Sequence, residues 1–306
     1  MIFMCGIGAL INFKGITQED LEAFTLTFAK NDSRGKMACG VGLQNLNVIK
    51  AIGASSEFVK TDKYKKFIQS AIGQQWIVGH TRHATQGDPA KFENDHPISL
   101  MRRKYLVIHN GVVGTNKFVV DPNKTDSYAI AEAIKRNWIE GDLQNTVKKA
   151  YSEFWGYAAT ITWTPKQICL AAYMNPIRRG TLQNGALIIS SDTDYFPPKT
   201  DEIFFMNRSG GSVCFNCDGS HTTTFVKTLD RPSYTTVTNW DYFVDEEDDE
   251  EKDYFKKFRQ AKLNEGNKDV VVKAHEKNYP RHSYFAHREK MDELERKNKR
   301  LDDYLV

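Results

Sequence analysis

Four short segments of the chain carry side chains that together suit the hydrolysis of an amide bond. Cys5 supplies a nucleophilic thiolate, and its own α-amino group, when free, has a pKa of about 8 and can act as the base. Arg82 supplies a guanidinium that binds a carboxylate through two hydrogen bonds. Asn110 and Gly111 offer a side-chain amide and a backbone N–H to an oxyanion, and Asp126 offers a carboxylate to an ammonium group.

Each of these residues also has an ordinary structural interpretation, which the sequence leaves open. Asn110 and Gly111 form a dipeptide that is typical of type I′ hairpin turns. Arg82 is equally suited to a structural ion pair. Asp126 precedes a helical pattern and can cap it, and Thr85 can be a turn residue.

The elements predicted around these residues place them at the ends of strands. Residues 5–13 alternate as a strand does, and 17–29 have helical spacing with Thr17 as the N-cap. The apolar runs 76–80 and 105–109 stop where the candidate residues begin, which predicts a site at strand ends. The other predicted strands are 37–43, 47–54, 155–163, 167–174, 187–191 and 204–217, and the other helices are 58–72, 126–139 and 143–154. This order of sheet, helices and sheet predicts an α+β fold with antiparallel hairpins and a helix layer on each face.

Composition excludes several other classes of protein. The chain has 306 residues, a net charge of +3 and 40% hydrophobic residues, which allow a sizeable core and give no strong signal for nucleic-acid binding. No run approaches the length of a membrane span, and residues 1–4 lack the pattern of a secretory signal. The five cysteines therefore predict a cytoplasmic protein with reduced thiols.

For two groups of potential metal ligands, the sequence favours a structural role over metal binding. Cys214 and Cys217 form the chain's CxxC motif, and without a second pair we expect a hairpin there, with zinc as the alternative. Four of the eight histidines lie within 30 residues, but at spacings that favour structural hydrogen bonds over a metal site. We expect neither a metal nor a cofactor.

The composition changes after about residue 240. Residues 245–251 are all acidic, and the last 50 residues are rich in Lys and Arg. We expect a catalytic-type domain over residues 5–240 and a charged linker with a C-terminal helical tail over 241–306. This tail is a candidate docking element for a partner.

The motifs resemble those of the class II glutamine amidotransferases, which are N-terminal-nucleophile (Ntn) hydrolases. Six motifs occur in the family's order over roughly residues 5–225: Cys5-Gly6-Ile7, Arg34-Gly35 with Gly40, the run 79–87, Asn94-Asp95-His96-Pro97, His109-Asn110-Gly111 and Thr125-Asp126. Any one of these motifs is weak evidence, whereas their common order is specific.

This resemblance implies a fold, an activity and a role for each matched residue. The implied fold is the four-layer αββα sandwich of two antiparallel sheets, and the implied substrate is L-glutamine. Cys5 would form a thioester, with Asn110 and Gly111 as the oxyanion hole. Arg82 would bind the substrate α-carboxylate and Asp126 its α-ammonium. His83, Thr85 and Gln86 would belong to the substrate loop, although Gln86 stands where the family often has His.

Two departures from the family pattern bear on function. Residues 1–4 precede Cys5, so its amine is free only if translation starts at Met4 or these residues are removed; we favour the start at Met4. Residues 226–306 are too few and too polar for an acceptor domain, so the ammonia would go to a separate synthase or ligase, or escape. The sequence leaves open whether the chain forms a homo-oligomer.

Two other functions remain as alternatives. The chain could be a catalytically inactive Ntn-like domain that serves as a binding or regulatory module, an interpretation that residues 1–4 would support if they are retained. It could also be an Ntn hydrolase of another amide. Arg82 with Asp126 argues against the latter, because together they recognise both ends of a free amino acid.

Overall fold

The structure is a computed structural model that describes residues 5–84, 91–121, 123–197, 200–205 and 210–230. Thr85 and Gln86 of the expected substrate loop, residues 1–4 and the expected tail 241–306 lie outside the described residues. In the part of the chain that is described, no helix combines the length and the apolar character needed to cross a bilayer.

One sheet has seven strands and carries the N-terminal segment at its centre. Its order is β10-β8-β9-β1-β4-β2-β3, and every pairing between these strands is antiparallel. The strands are β1 (Gly6–Ile11), β2 (Ala38–Leu43), β3 (Val48–Ile52), β4 (Trp76–Arg82), β8 (Arg178–Thr181), β9 (Leu187–Ser190) and β10 (Asp201–Phe205). Because β1 lies between β9 and β4, the residue that precedes it lies at the end of a central strand.

The second sheet has five strands in the order β12-β11-β7-β6-β5, and its pairings are also antiparallel. The strands are β5 (Leu106–Gly114), β6 (Trp155–Trp163), β7 (Gln167–Tyr173), β11 (Gly211–Asn216) and β12 (His221–Thr224). In this sheet β5 is an edge strand, so one side of its backbone is available for contacts with other parts of the domain.

The helices form the two outer layers. They are α1 (Gln18–Lys30), α2 (Ser55–Phe58), α3 (Asp62–Gln69), α4 (Ser127–Arg136) and α5 (Leu143–Tyr151). Apolar residues of α1 to α3 pack on the seven-stranded sheet, and those of α4 and α5 pack on the five-stranded sheet. A third core lies between the sheets and includes Ile7, Val78 and Ile161. The expected four-layer αββα sandwich is confirmed.

Local signals account for several elements. The Thr17 hydroxyl accepts a hydrogen bond from the Asp20 N–H, and the Asp20 carboxylate accepts one from the Thr17 N–H, which makes a reciprocal capping box at the start of α1. Strands β2 and β3 pair as predicted. The hairpin expected at the CxxC motif is formed by β11 and β12, with a turn that ends at Gly219.

Other boundaries differ from those expected. In place of one helix over 58–72, α2 ends at Phe58 and α3 spans Asp62–Gln69, because Thr61 is extended and its hydroxyl caps α3 by accepting from the Tyr64 N–H. Within the strand predicted over 204–217, β10 ends at Phe205 and β11 begins at Gly211. Strands β8 and β12 were not predicted, since neither sequence has a clear apolar alternation and each is positioned by its neighbour in the sheet.

Candidate functional site

Cys5 is half-buried immediately before β1, and the chain around it is held by two long-range contacts. The His83 N–H donates a hydrogen bond to the Cys5 Sγ at 3.4 Å, and the same Sγ lies 3.4 Å from the His83 carbonyl oxygen. The Arg34 Nε donates to the Cys5 carbonyl at 2.9 Å. These contacts give the Arg34 motif a structural role, which is to hold the backbone of Cys5.

The local environment keeps the Cys5 thiol protonated at neutral pH. Burial raises its pKa to about 11, while the hydrogen bond from His83 and the charge of Arg82 oppose this shift. A thiol of this kind is a poor nucleophile unless a base removes its proton as the attack occurs.

The raised pKa predicts a particular pH dependence of alkylation. In the folded chain, the rate at which iodoacetamide alkylates Cys5 should rise about tenfold per pH unit from about pH 7 to about pH 10, because only the thiolate reacts. The same chain in urea serves as the control, and there the rate should level off near an ordinary pKa of about 8.5. Mass spectrometry of the Cys5 peptide measures both profiles. Levelling at the same pH in both states would contradict the prediction.

Arg82 ends β4 and is almost fully buried. Its Nη1 lies 2.8 Å from the Asp95 Oδ1, and both side chains are no more than 3% exposed. The structural ion pair that the sequence left open is therefore present, and the sequence analysis did not assign Asp95 to it. Arg82 also lines the candidate cavity described below, so the pair holds the guanidinium beside that cavity.

The segment around Asp95 is itself fixed from two sides. The Lys50 Nζ donates to the carbonyls of Phe92 at 2.9 Å and Asp95 at 2.6 Å. The Asn94 side chain bonds to the backbone of Thr125, the residue before Asp126, at 3.3 Å. The motif at 94–97 thus links Arg82 to the segment that carries Asp126.

Asn110 and Gly111 do not form a turn. Both lie inside β5, paired with Ala159 and Ala158 of β6, and the strand continues to Gly114. The interpretation as a hairpin turn and the expectation that this strand ends before the site are therefore wrong, because the partner strand β6 extends the pairing. Gly111 has φ +146°, which a side chain rarely tolerates.

The peptide groups on both sides of the Asn110 α-carbon are hydrogen-bonded by side chains from outside the five-stranded sheet. The His80 Nε2 lies 2.9 Å from the His109 carbonyl oxygen. The Asn175 Nδ2, which is buried after β7, donates to the Asn110 carbonyl at 2.7 Å. Asn175 is not among the predicted site residues, since nothing in its local sequence pattern distinguishes it from a loop residue.

Replacing Asn175 should lower both the turnover of the expected amide hydrolysis and the stability of the fold. The Asn175→Leu change leaves the Asn110 carbonyl without its donor, at a cost of about 1–3 kcal/mol in the free energy of unfolding. If Asn110 stabilises an oxyanion, a small displacement should lower kcat by about 10- to 100-fold with little change in KM.

The matched control is Asn137→Leu. The Asn137 Nδ2 also donates to a backbone carbonyl, that of Ala133 at 3.0 Å, but at the end of α4. It should reduce stability less, because the Asn137 N–H also donates to the Ala133 carbonyl, and it should leave kcat unchanged. Steady-state kinetics with thermal unfolding measure both, and equal kcat values for the two variants would exclude a positioning role for Asn175.

Asp126 occupies the N-cap position of α4, but its side chain makes no capping hydrogen bond. Its Oδ2 accepts from the Val113 N–H at 3.1 Å and its Oδ1 from the Thr125 hydroxyl at 3.0 Å. The alternative role of Asp126 as a capping side chain is therefore wrong, because its carboxylate accepts the Val113 N–H of β5 instead. The adjacent Ser127 hydroxyl lies 3.0 Å from the His109 Nδ1.

These residues converge on one small cavity that opens to solvent. Its lining comprises Cys5, Arg82, His83, His96, His109, Gly111, Thr125, Asp126 and Ser127. Five of the eight residues expected at the site thus lie on its wall, and Asn110 is buried next to Gly111. His96, His109, Thr125 and Ser127 were not assigned to the site in advance, although each lies in or next to a motif.

The wall combines the groups that amide hydrolysis needs. It has a thiol, a buried guanidinium and a carboxylate, and a β-strand edge with Asn110 and Gly111 beside them. Among the described residues, no cluster of three or more His, Cys, Asp or Glu side chains is placed to hold a metal ion.

Comparison with known proteins agrees with this geometry. The chain is 29% identical over 231 residues to glutamine–fructose-6-phosphate aminotransferase (isomerizing) of Listeria monocytogenes, covering 68% of this chain and 36% of that protein. It is 28% identical over 220 residues to the enzyme of the same name from Caldanaerobacter subterraneus, covering 67% of this chain and 34% of that protein. The chain thus spans about a third of the length of these curated relatives. No family model matches it.

Two solved structures share the fold. Glutamine phosphoribosylpyrophosphate amidotransferase from B. subtilis superimposes with a TM-score of 0.54 at 17% identity, covering 72% of this chain and 49% of that one. A structure described as the allosteric regulatory enzyme of purine biosynthesis gives a TM-score of 0.58 at 19% identity, with the same coverage.

Proposed function

We propose that this chain, which carries a domain of the class II glutamine amidotransferase type, hydrolyses the side-chain amide of L-glutamine to glutamate and ammonia. The observation that carries the proposal is the convergence of Cys5, Arg82 and Asp126 on one cavity. A guanidinium and a carboxylate on one wall match the two charged groups of a free α-amino acid. The curated relatives are named as glutamine-dependent enzymes, which supports the choice of substrate.

In the proposed reaction the Cys5 sulfur attacks the side-chain carbonyl carbon of glutamine while the free Cys5 amine takes the thiol proton. Negative charge develops on the former amide oxygen, where Asn110 and Gly111 act as donors. The C–N bond then breaks, the amine returns the proton to the nitrogen, and ammonia leaves a γ-glutamyl thioester on Cys5. Water attacks this thioester, which releases glutamate and restores the thiol.

The roles of the remaining site residues form part of the proposal. Arg82 binds the α-carboxylate and Asp126 the α-ammonium, while His83, Thr85 and Gln86 belong to the substrate loop. The glutaminase domain comprises residues 5–240, and 241–306 form the charged tail. The ammonia is consumed by a separate synthase or ligase.

The decisive experiment compares two forms of the chain, one that begins at Cys5 and one that retains residues 1–4. The form with a free Cys5 amine should release glutamate and ammonia in equal amounts. The other form should be slower by at least about 100-fold, because a general base contributes about 10²- to 10⁴-fold. Hydroxylamine should capture the thioester as the γ-glutamyl hydroxamate. If the form that begins at Cys5 releases no glutamate, the alternative of an inactive binding module replaces this proposal.

A further inference from the structure

His96 is a buried polar side chain on the cavity wall that the proposed reaction does not use. It is 3% exposed, and neither ring nitrogen has a hydrogen-bond partner among the described residues. An unsatisfied buried nitrogen of this kind costs about 1–3 kcal/mol. Such groups are rare in folded proteins and call for a specific explanation.

Packing, and not hydrogen bonding, holds the His96 ring in place. A β-carbon added to Gly40 of β2 would lie 2.2 Å from the His96 carbonyl oxygen, so only glycine allows this close approach. The ring itself lies against His80, with 4.0 Å between the ring centroids. The ring is therefore fixed beside the cavity, and neither of its nitrogens has a partner among the described residues.

The charges nearby indicate which end of a ligand His96 faces. Burial keeps the pKa of His96 well below its usual value, so the ring is neutral, with one donor and one acceptor nitrogen. Beyond the neighbouring His80 and His109, the charged groups that act on it are the cations Arg82 and Lys50. His96 directly follows Asp95, whose carboxylate lies 2.8 Å from the Arg82 Nη1, so it lies on the Arg82 side of the cavity.

We propose that His96 donates a hydrogen bond to the α-carboxylate of the bound amino acid, beside Arg82. A neutral donor suits this position because Arg82 already shares its charge with Asp95. His96 thereby adds specificity for an α-amino acid over an amine that lacks the carboxylate. This inference rests on the proposed function and extends it to a residue that the sequence did not assign.

The test measures binding in the Cys5→Ala chain, so that no turnover is needed. Calorimetry compares L-glutamate with 4-aminobutanoate, which lacks only the α-carboxylate. A hydrogen bond to a charged group corresponds to a change in Kd of about tenfold or more. Adding His96→Phe should therefore weaken the binding of glutamate by about tenfold or more and leave the binding of 4-aminobutanoate unchanged. The change His96→Gln keeps an N–H donor, so it should restore much of the affinity for glutamate.

Control measurements separate this result from a general loss of structure. The exposed His221 serves as the matched control, and His221→Phe should change neither affinity. If thermal unfolding shows that His96→Phe is not folded, His96→Leu takes its place. If the binding of both ligands weakens equally, or if the binding of glutamate does not weaken, the proposed role of His96 is overturned. If the Cys5→Ala chain with His96 intact binds no glutamate at all, the proposed function itself fails.

Discussion

Replacement of Cys5 by alanine should reduce glutamine hydrolysis by on the order of 10⁴-fold or more, the largest effect that we expect of any substitution in this chain. No other thiol lies on the cavity wall in the described part of the chain, and the reaction has no alternative nucleophile of comparable strength. Fold and ligand binding should survive, because alanine removes only the sulfur from a half-buried position at the edge of the cavity. Release of ammonia by a chain that begins at residue 5 measures the loss, and calorimetry with glutamate measures binding.

Cys217→Ala is the matched control for this experiment. The Cys217 thiol is also partly exposed, but it lies at the far end of β11, where its Sγ is 3.3 Å from the Lys166 carbonyl oxygen. Its removal should leave hydrolysis unchanged. If Cys5→Ala keeps a tenth or more of the activity, Cys5 does not form the thioester.

Gly111→Ala should cause the second largest loss. An added β-carbon would lie 2.1 Å from the Tyr157 carbonyl oxygen and 2.9 Å from the His109 Nε2, at a φ of +146°. The strand must shift to relieve this overlap, which displaces Asn110 and the Gly111 N–H together. We expect kcat to fall by about 100-fold or more, as when an oxyanion donor is lost. The strained backbone should also lower the free energy of unfolding by about 1–3 kcal/mol.

Gly211→Ala tests whether this loss is specific. Gly211 also lies in a strand of the five-stranded sheet, but a β-carbon there meets no atom within 4 Å. This variant should match the parent chain in kcat and differ little in stability. Measured kinetics and denaturant unfolding decide the outcome, and a Gly111→Ala chain with parental kcat would show that this peptide is not part of the oxyanion site.

The parts of the fold that could be predicted are those with a local cause. The Thr17 capping box and the apolar spacing of α1 are contained in consecutive residues, and α1 begins where they predict. The paired strands β2 and β3 also follow from alternation and a short connection. Helix boundaries were less accurate where a second cap, at Thr61, interrupts a continuous helical pattern.

The alternative interpretations that the structure rejects concern positions where a distant segment overrides the local preference. Asn110-Gly111 is a turn by local preference, yet pairing with β6 keeps it inside a strand. Asp126 precedes a helix as a cap does, yet its carboxylate accepts the Val113 N–H instead. In both cases one long-range hydrogen-bonding arrangement outweighs a propensity of about 1 kcal/mol or less.

By itself, the sequence determined which chemical groups this protein possesses, their order along the chain and the elements that carry them. The tertiary structure alone decided which groups meet. Cys5 contacts His83 across 78 positions, and Asn175 contacts Asn110 across 65. The physical reason is that side-chain period and capping act within a few residues, whereas the site is assembled by two sheets packing face to face. That packing brings His80 against the backbone that carries Asn110, which no local pattern encodes.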